Sequence, residues 1–442
     1  MVGCSVKFLK KMLRVPEFRR DGSVRQELVF SLICITMAMI SGHGKSQAET
    51  ASWIKANYTD LKGIYFAFFS KCPVSEAPIS QPTISRILFG VSTYHLDEIL
   101  CLLGQGDFQK YWKEYARHRV KLAEINQNRL ETNYLLKLFQ ILTEKAIRVI
   151  AVDGKARKGV TDKSGRTEID VTFYDVLTGQ VLYRVTIPEK KGESTVFTEI
   201  IESGKFQEII SFIENASIVV TADAGITSQK ITGLLTVAGI SYCLAIKGNA
   251  GNAFDTVKNI LWDDLEDNTT EESGHGREEK RTVKTLDLDT MKRIKWMQFI
   301  DPSGYLQAYS QLKKIVRITS TVKEKGKTVV FHRYFILGGE DSKSFGAEEI
   351  HAIIRGHWQI ESNHWIKDVV LNEDDCPTKT PDSSRVLAVF RDILLGVIKI
   401  FSKSPTQFIR ELNNNIKDLW PDIRKGLSDC KNNEAACACG MI

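Results

Sequence analysis

Between Ile147 and Lys247 the chain sets out strand-like and helix-like segments in an order that few folds satisfy. "IRVIAVDGK" (147–155) is an apolar run ending in Asp153-Gly154, the texture of a strand buried on both faces. "EIDVTFYDV" (168–176) alternates, "LTGQ" makes a turn and "VLYRVTI" (181–187) returns, which predicts a hairpin. A helix fits 194–213, with Ser194 as its cap. "ASIVVTADAG" (216–225) is a second apolar strand closing on an acid, Asp223. A helix from about Thr227 to Ala238 and a strand, "SYCLAIK" (241–247), complete the series.

Three strands, a helix, a strand, a helix and a strand, with acids closing two of the strands, predict an α/β core of ribonuclease H-like layout. In open α/β sheets, reactive groups gather at such strand ends. The core is expected to span 146–249 and 341–405. Residues 250–340 interrupt it as a β-rich insertion, in which "IVRITSTV" and "TVVFHRYFIL" alternate as strands around "KEKGK". The charged stretch "EDNTTEESGHGREEKR" (266–281) is expected to be a loop. Helical spacing returns over 344–371 and again over 383–401. A polar tail fills 406–442.

Residues 1–145 read as an all-helical domain preceding the core. Its longest apolar run, Leu28 to Ile40, is 13 residues, too short to cross a bilayer and therefore expected as a buried helix. In "APISQPTISRILFG" (77–90), Pro82 suits a first helical turn, and Ile84, Ile87 and Leu88 make one apolar face. The other face keeps Thr83, Ser85 and Arg86, as in the second helix of a helix-turn-helix DNA reader; a capped core helix with an exposed Arg86 reads equally well. The whole chain carries a net charge of +6. Residues 1–140 hold 19 Lys and Arg against 12 Asp and Glu, so the surplus lies there. Such a surplus can serve a phosphate backbone or be ordinary surface variation. Nine cysteines without framework spacing point to reduced thiols and a cytoplasmic protein with no membrane segment.

The chemistry gathers on three acids. Asp153 closes the first strand, Asp223 the fourth, and Glu361 lies on the late helix within "GHWQIESNHWIKD" (356–368). Hard Mg²⁺ ions take a few carboxylate oxygens and keep positions open for phosphate and water. The trio therefore suits in-line phosphoryl transfer with two Mg²⁺ ions, for which Mn²⁺ can substitute; Asp153 would bridge them. Basic side chains flank the acids: Lys155 and Arg157 after Asp153, Lys247 at the end of the fifth strand, Arg277 in the insertion, and Arg355 and His357 before Glu361. They are expected to face DNA phosphates, with solvated surface charge as the plainer reading. Two alternatives stay open. His357, Glu361 and His364 share one helical face and could ligate zinc, although helical His pairs of zinc enzymes stand four apart. Two carboxylates could also serve glycoside hydrolysis.

"AVDGKARKG", "TADAGITSQK", "YCLAIKGNAGN", "GHGREEKR" and "IRGHWQIESNHWIKDVVLNEDD" resemble, in that order, the signature blocks of the H-repeat-associated insertion-sequence transposases, a branch of the DDE transposases. "VPEFRRDGSVRQELVFSLICITMAMISG" and "PISQPTISRIL" resemble that family's N-terminal domain. The resemblance covers roughly 14–400. It implies Mg²⁺-dependent cleavage and strand transfer of double-stranded DNA at element ends, with a homodimer assembled on that DNA. The acidic triad would be Asp153, Asp223 and Glu361. One departure is local: "IESNHW" is a residue shorter between Glu361 and His364 than the family pattern, and one residue turns a helix by about 100°. The expected alternative is a degenerate transposase that binds DNA without turnover.

Overall fold

The structure is a computed structural model of the 442-residue chain. It describes Phe18 and residues 27–69, 77–91, 130–188, 191–265, 267–274, 277–288, 301–324 and 326–401. Part of the expected all-helical domain, 92–129, and the tail from 406 lie outside the described residues.

Among the described residues, five helices precede the first strand: α1 (Leu28–Ile40), α2 (Gln47–Ala56), α3 (Tyr58–Phe69), α4 (Gln81–Gly90) and α5 (Leu130–Glu144). α4 buries Ile84, Ile87 and Leu88, as its spacing requires, and carries its proline in the first turn. Arg86 stays on the outer side, where its Nε donates to the Pro82 carbonyl at 3.2 Å.

The strands are β1 (Ile147–Thr161), β2 (Thr167–Asp175), β3 (Gln180–Thr186), β4 (Ser217–Ala222), β5 (Ser241–Ile246), β6 (Asp267–Gly274), β7 (Arg277–Asp287), β8 (Leu312–Glu324) and β9 (Lys327–Gly338). They form one nine-stranded sheet in the order β3-β2-β1-β4-β5-β9-β8-β7-β6. β4 runs parallel to β1 and to β5, and every other pairing is antiparallel. Between the strands lie α6 (Glu193–Glu202), α7 (Lys205–Ile210), α8 (Gln229–Val237) and α9 (Asn252–Lys258); α10 (Ala347–Trp365) and α11 (Pro381–Phe401) follow β9.

Alternation along β1 shows why the sheet is covered twice. Val149 and Ala151 join one apolar cluster with residues of α1, α4, α5, α10 and α11. Ile150 and Val152 join another with α6, α7, α8 and α9. Strands buried on both faces need near-continuous apolar sequence, and β4, β5 and the first half of β1 have it. The helices before β1 thus share a core with the helices after β9.

Three expectations change. β1 does not end at Asp153 but runs on to Thr161; its parallel partner β4 stops opposite Val152, so Asp153 lies where one neighbour ends while β2 continues to pair. The helix expected over 194–213 is two helices, broken at Gly204, whose φ is +76°; the N-cap of α6 is Gly192, with no capping side chain, and Ser194 lies inside. The described residues of the stretch 266–281 are strand, not loop. Asp267 to Gly274 pairs with β7 in full register. Its charges on both faces hide the period-2 signal, and β6 is the last strand of the sheet, where charged side chains discourage further pairing.

Candidate active site

The ends of the parallel strands β4 and β5, beside β1, define a cleft. Asp153 on β1, Asp223 directly after β4, Lys247 directly after β5, and His357, Trp358 and Glu361 on α10 line one cavity of about 620 Å³. The chain brings α10 this close because position 356 is glycine: a Cβ there would stand 2.9 Å from Cγ1 of Val176. His357 then fastens the helix to β4, its Nδ1 lying 3.0 Å from the buried Thr221 hydroxyl. Burial pushes the His357 imidazole down to about 4, so it is neutral near pH 7 and contributes a hydrogen bond rather than a charge.

The acids of the cleft are held differently. Burial is the largest influence on Asp153 and, with the charges of Glu193, Glu361 and Asp223, pushes its carboxyl up to about 7, against the pull of the Gly154 N–H. Burial also works to raise Asp223, but Lys247 and the Ala224 N–H outweigh it and hold that carboxyl below its ordinary value. The Lys247 ammonium donates to both Asp223 oxygens, at 2.8 and 3.1 Å. Glu193, the first residue of α6, is a fourth acid that sequence spacing gave no reason to choose. Burial and Asp223 raise its carboxyl.

His364 Nδ1 lies 3.5 Å from an Asp153 oxygen. Burial, then Lys367, Arg184 and Lys155, push its imidazole far down, so the pair is a polar contact and not an ion pair. α10 ends at Trp365, 55% exposed, and widens into a π-helical turn over Ile366–Val370, closed by Leu371 N–H to Ile366 O at 3.1 Å. His357 and His364 thus take different partners, Thr221 and Asp153.

Two basic residues expected at DNA are elsewhere. Lys155 is 7% exposed and pairs with Asp368 at 2.6 Å and Glu373 at 2.9 Å. Arg157 is 2% exposed and lies between Glu168 and Asp170. β1 continues beyond Asp153 between buried acids, so both side chains are used up as internal counter-ions; a strand that stopped at Asp153 would have left them at the surface. Asp368 belongs to this network through Lys155. Lys247, His357 and Arg355 lie in or beside the cleft. Arg277 begins β7, opposite Gly274.

Strands β7 and β9 build the far wall. β9 brings Arg333, Tyr334 and Phe335 to the cavity. Three guanidiniums surround the Trp358 ring, from Arg281 at 5.1 Å, Arg333 at 4.7 Å and Arg355 at 4.2 Å to its centroid. Cation–π contact explains how three like charges settle around one side chain. Arg281 and Arg333 come from "EEKRT" and "FHRYF", ordinary strand sequence whose meeting with Trp358 depends on β5–β9 pairing.

The donor chemistry fits a hard divalent cation. The cleft offers carboxylates and no thiolate pair, and a cation relieves the mutual repulsion that raises Asp153. As the side chains stand, no group of three or more His, Cys, Asp or Glu among the described residues is set to hold an ion. Asp223 faces Lys247, in a pair whose two side chains are 51% and 59% exposed. Exposed pairs contribute at most about 1 kcal/mol, so re-aiming Asp223 costs little.

Comparison with known proteins agrees with this geometry. The model of the Transposase DDE domain family matches residues 144–395, which contain every acid of the cleft; that domain implies dependence on a divalent metal. YbfL and the H repeat-associated YhhI, both of Escherichia coli K12, are each 26% identical over 260 residues, 57% of this chain. The match spans 64% of the length of each. YncI of Escherichia coli O157:H7, named as a transposase, is 23% identical over 403 residues, 87% of this chain and 85% of its own. No helix among the described residues is long and apolar enough to cross a membrane. The chain belongs to the Transposase DDE domain family, in its H-repeat-associated branch.

Proposed function

We propose that this protein is a DNA transposase that cleaves the ends of its insertion element and joins them to target DNA by Mg²⁺-dependent phosphoryl transfer. The observation that carries this reading is the meeting of Asp153, Asp223 and Glu361, from three separate elements, in one cavity beside the Arg and Trp wall. The antiparallel β1–β3 followed by parallel β4 and β5 supports a ribonuclease H-like core. Asp153, central among the acids, would hold divalent cations together with Asp223 and Glu361, and Mg²⁺ or Mn²⁺ would suit these carboxylates. Bound divalent ions supply Lewis-acid stabilisation of the charge that develops on a transferring phosphoryl group.

The chain's own residues do the rest. Thr221 and His357 hold α10 against β4, which fixes the height of Glu361 over the strand ends. Lys247, now paired with Asp223, would be placed to take a phosphate oxygen were Asp223 to hold a cation instead. Arg333 and Arg355 beside Trp358 offer a basic, aromatic wall to a DNA strand, while Arg281 is buried and paired with Glu279. The helices before β1 with Arg86, and β7 with Arg277, extend the DNA contact, and a homodimer on DNA in the cytoplasm completes the proposal.

The test is cleavage of duplexes carrying the sequences that border the element, with Mg²⁺, Mn²⁺ or a chelator. Wild type is expected to nick with either ion, and Glu361→Gln is expected to bind the same DNA without nicking it. Cleavage in chelator, or undiminished cleavage by Glu361→Gln, would overturn the assignment. One observation favours the alternative of a DNA-binding relic: as the side chains stand, Lys247 spans Asp223 and no acid trio is set for an ion among the described residues. Specific end binding by a wild type that never cleaves would establish the relic.

The wall carries its own prediction. Arg333→Ala is expected to weaken binding and to flatten the slope of log K against log salt by about one unit, the share of one phosphate contact. Fluorescence anisotropy across a salt series measures it; an unchanged slope removes Arg333 from the phosphate path.

A further inference from the structure

We propose that Glu193 is a fourth carboxylate ligand of the divalent-metal site of Asp153, Asp223 and Glu361. The inference rests on the functional reading above and adds a residue that the acidic triad does not contain.

Gly154 is the first reason. Glycine weakens a strand interior and usually marks a close approach. The Gly154 backbone is not in the left-handed region, so conformation does not require glycine there. Space does: a Cβ on residue 154 would overlap the Glu193 carboxylate. Glu193 therefore lies directly over β1 beside Asp153. The second reason is reach. A Glu193 oxygen also stands 3.8 Å from the Cβ position of Gly225, two residues after Asp223. One carboxylate thus spans the gap between the strand that carries Asp153 and the turn that carries Asp223.

The third reason is the company it keeps. Other carboxylates packed around β1 come with bases: Glu168 with Arg157 and Arg385, Asp170 with Arg157 and Arg184, and Glu373 with Lys155. Glu193 has no ion pair with a described residue and faces two further acids. Carboxylates gathered in this way are relieved either by holding a proton or by a bound cation, and a cation can relieve several at once. The plainer role for Glu193 is that of an acid at a helix N-terminus, attracted to the helix dipole.

Mn²⁺ binding to the intact protein separates these roles, followed by calorimetry and by the paramagnetic resonance of free Mn²⁺ at pH 7.5. For E193Q the expected result is Mn²⁺ affinity at least about tenfold weaker than wild type, the lower end of the loss seen even for indirect partners of a metal ligand. The metal-free denaturation midpoint should be unchanged or higher, because a repulsive charge is gone. A helix-start role gives the opposite pattern: wild-type Mn²⁺ affinity with a lower midpoint, which overturns the proposal. G154A is the second variant. It keeps every charge and displaces the Glu193 carboxylate, and is expected to weaken Mn²⁺ binding in the same direction; undiminished affinity counts against the proposal. D153N identifies which idea has failed. Loss of binding in D153N with normal binding in E193Q removes only Glu193. Normal binding in D153N, or none in wild type, removes the metal site and Glu193 with it.

Discussion

Asp153→Asn should abolish metal-dependent cleavage and, in metal-free buffer above pH 7, make the protein more stable. Removing one preorganised electrostatic group from a reacting centre costs on the order of a hundred- to a thousandfold in rate, and Asp153 is the acid that faces the others. The stability gain follows from linkage. Burial and three neighbouring carboxylates raise the Asp153 carboxyl from 3.8 to about 7, so the folded state holds this proton more tightly than the unfolded chain. For an acid with a raised folded value, the stabilising contribution is complete below pH 4 and is lost as pH climbs towards 7. The ionised native carboxylate then costs up to about 4 kcal/mol. Asn carries no such penalty. Denaturant midpoints of the two proteins in chelator should coincide near pH 4 and separate progressively by pH 8, with the variant higher. Mg²⁺ at pH 8 should stabilise wild type and leave the variant nearly unmoved. A gap that does not vary with pH would remove the crowded-carboxylate account of this site.

Asp392→Leu is expected to cost about 3–5 kcal/mol, the penalty for leaving buried charges without their partner. Asp392 on α11 is 1% exposed, Lys367 is fully buried and Arg184 is 5% exposed. The Lys367 ammonium donates to one Asp392 oxygen at 2.8 Å, and Arg184 Nε lies 2.7 Å from the other. Burial, then Arg184, push the Lys367 ammonium below its ordinary value, which shows how far it depends on its acidic neighbours. Burial works to raise Glu373 nearby, but Lys367, Arg184 and Lys155 hold it well below the carboxylate range. The double variant Asp392→Leu with Lys367→Met should recover part of the loss, since removing both members of a buried pair is often close to neutral. Thermal and denaturant unfolding of the single and double variants measure it. A single variant within about 0.5 kcal/mol of wild type, as for an ordinary surface change, would refute the account. The same network ties the π-helical turn to β3 and α11, so Asp392→Leu should also reduce cleavage by loosening α10 beneath Glu361.

Some features were legible in the chain because they are local. The periodicity of 28–40 and 81–90 gives helices with those apolar faces, and the hairpin of β2 and β3 follows from its alternation and its turn. Asp223 at the end of β4 and Lys247 at the end of β5 were readable because each follows an apolar run that stops. The β6–β7 hairpin was not, since a strand charged on both faces has no period to detect. Lys155 and Arg157 misled for a related reason. A lysine and an arginine beside an acid look like phosphate contacts until β1 is seen to run eight residues past Asp153 between buried carboxylates.

By itself the sequence determined the order of the strands from β1 to β5, the acids that close β4 and ride on the late helix, and the family. These depend on apolar periodicity and on short motifs, which act over a few residues and survive without knowledge of the fold. Only the tertiary structure decided which charges are spent inside and which face the cleft. It put Glu193 over Gly154, set Arg281 and Arg333 around Trp358, and turned Lys155 into a counter-ion. Those outcomes depend on which distant strands pair and where one neighbour stops short, and electrostatic energy follows distance in space, not separation along the chain.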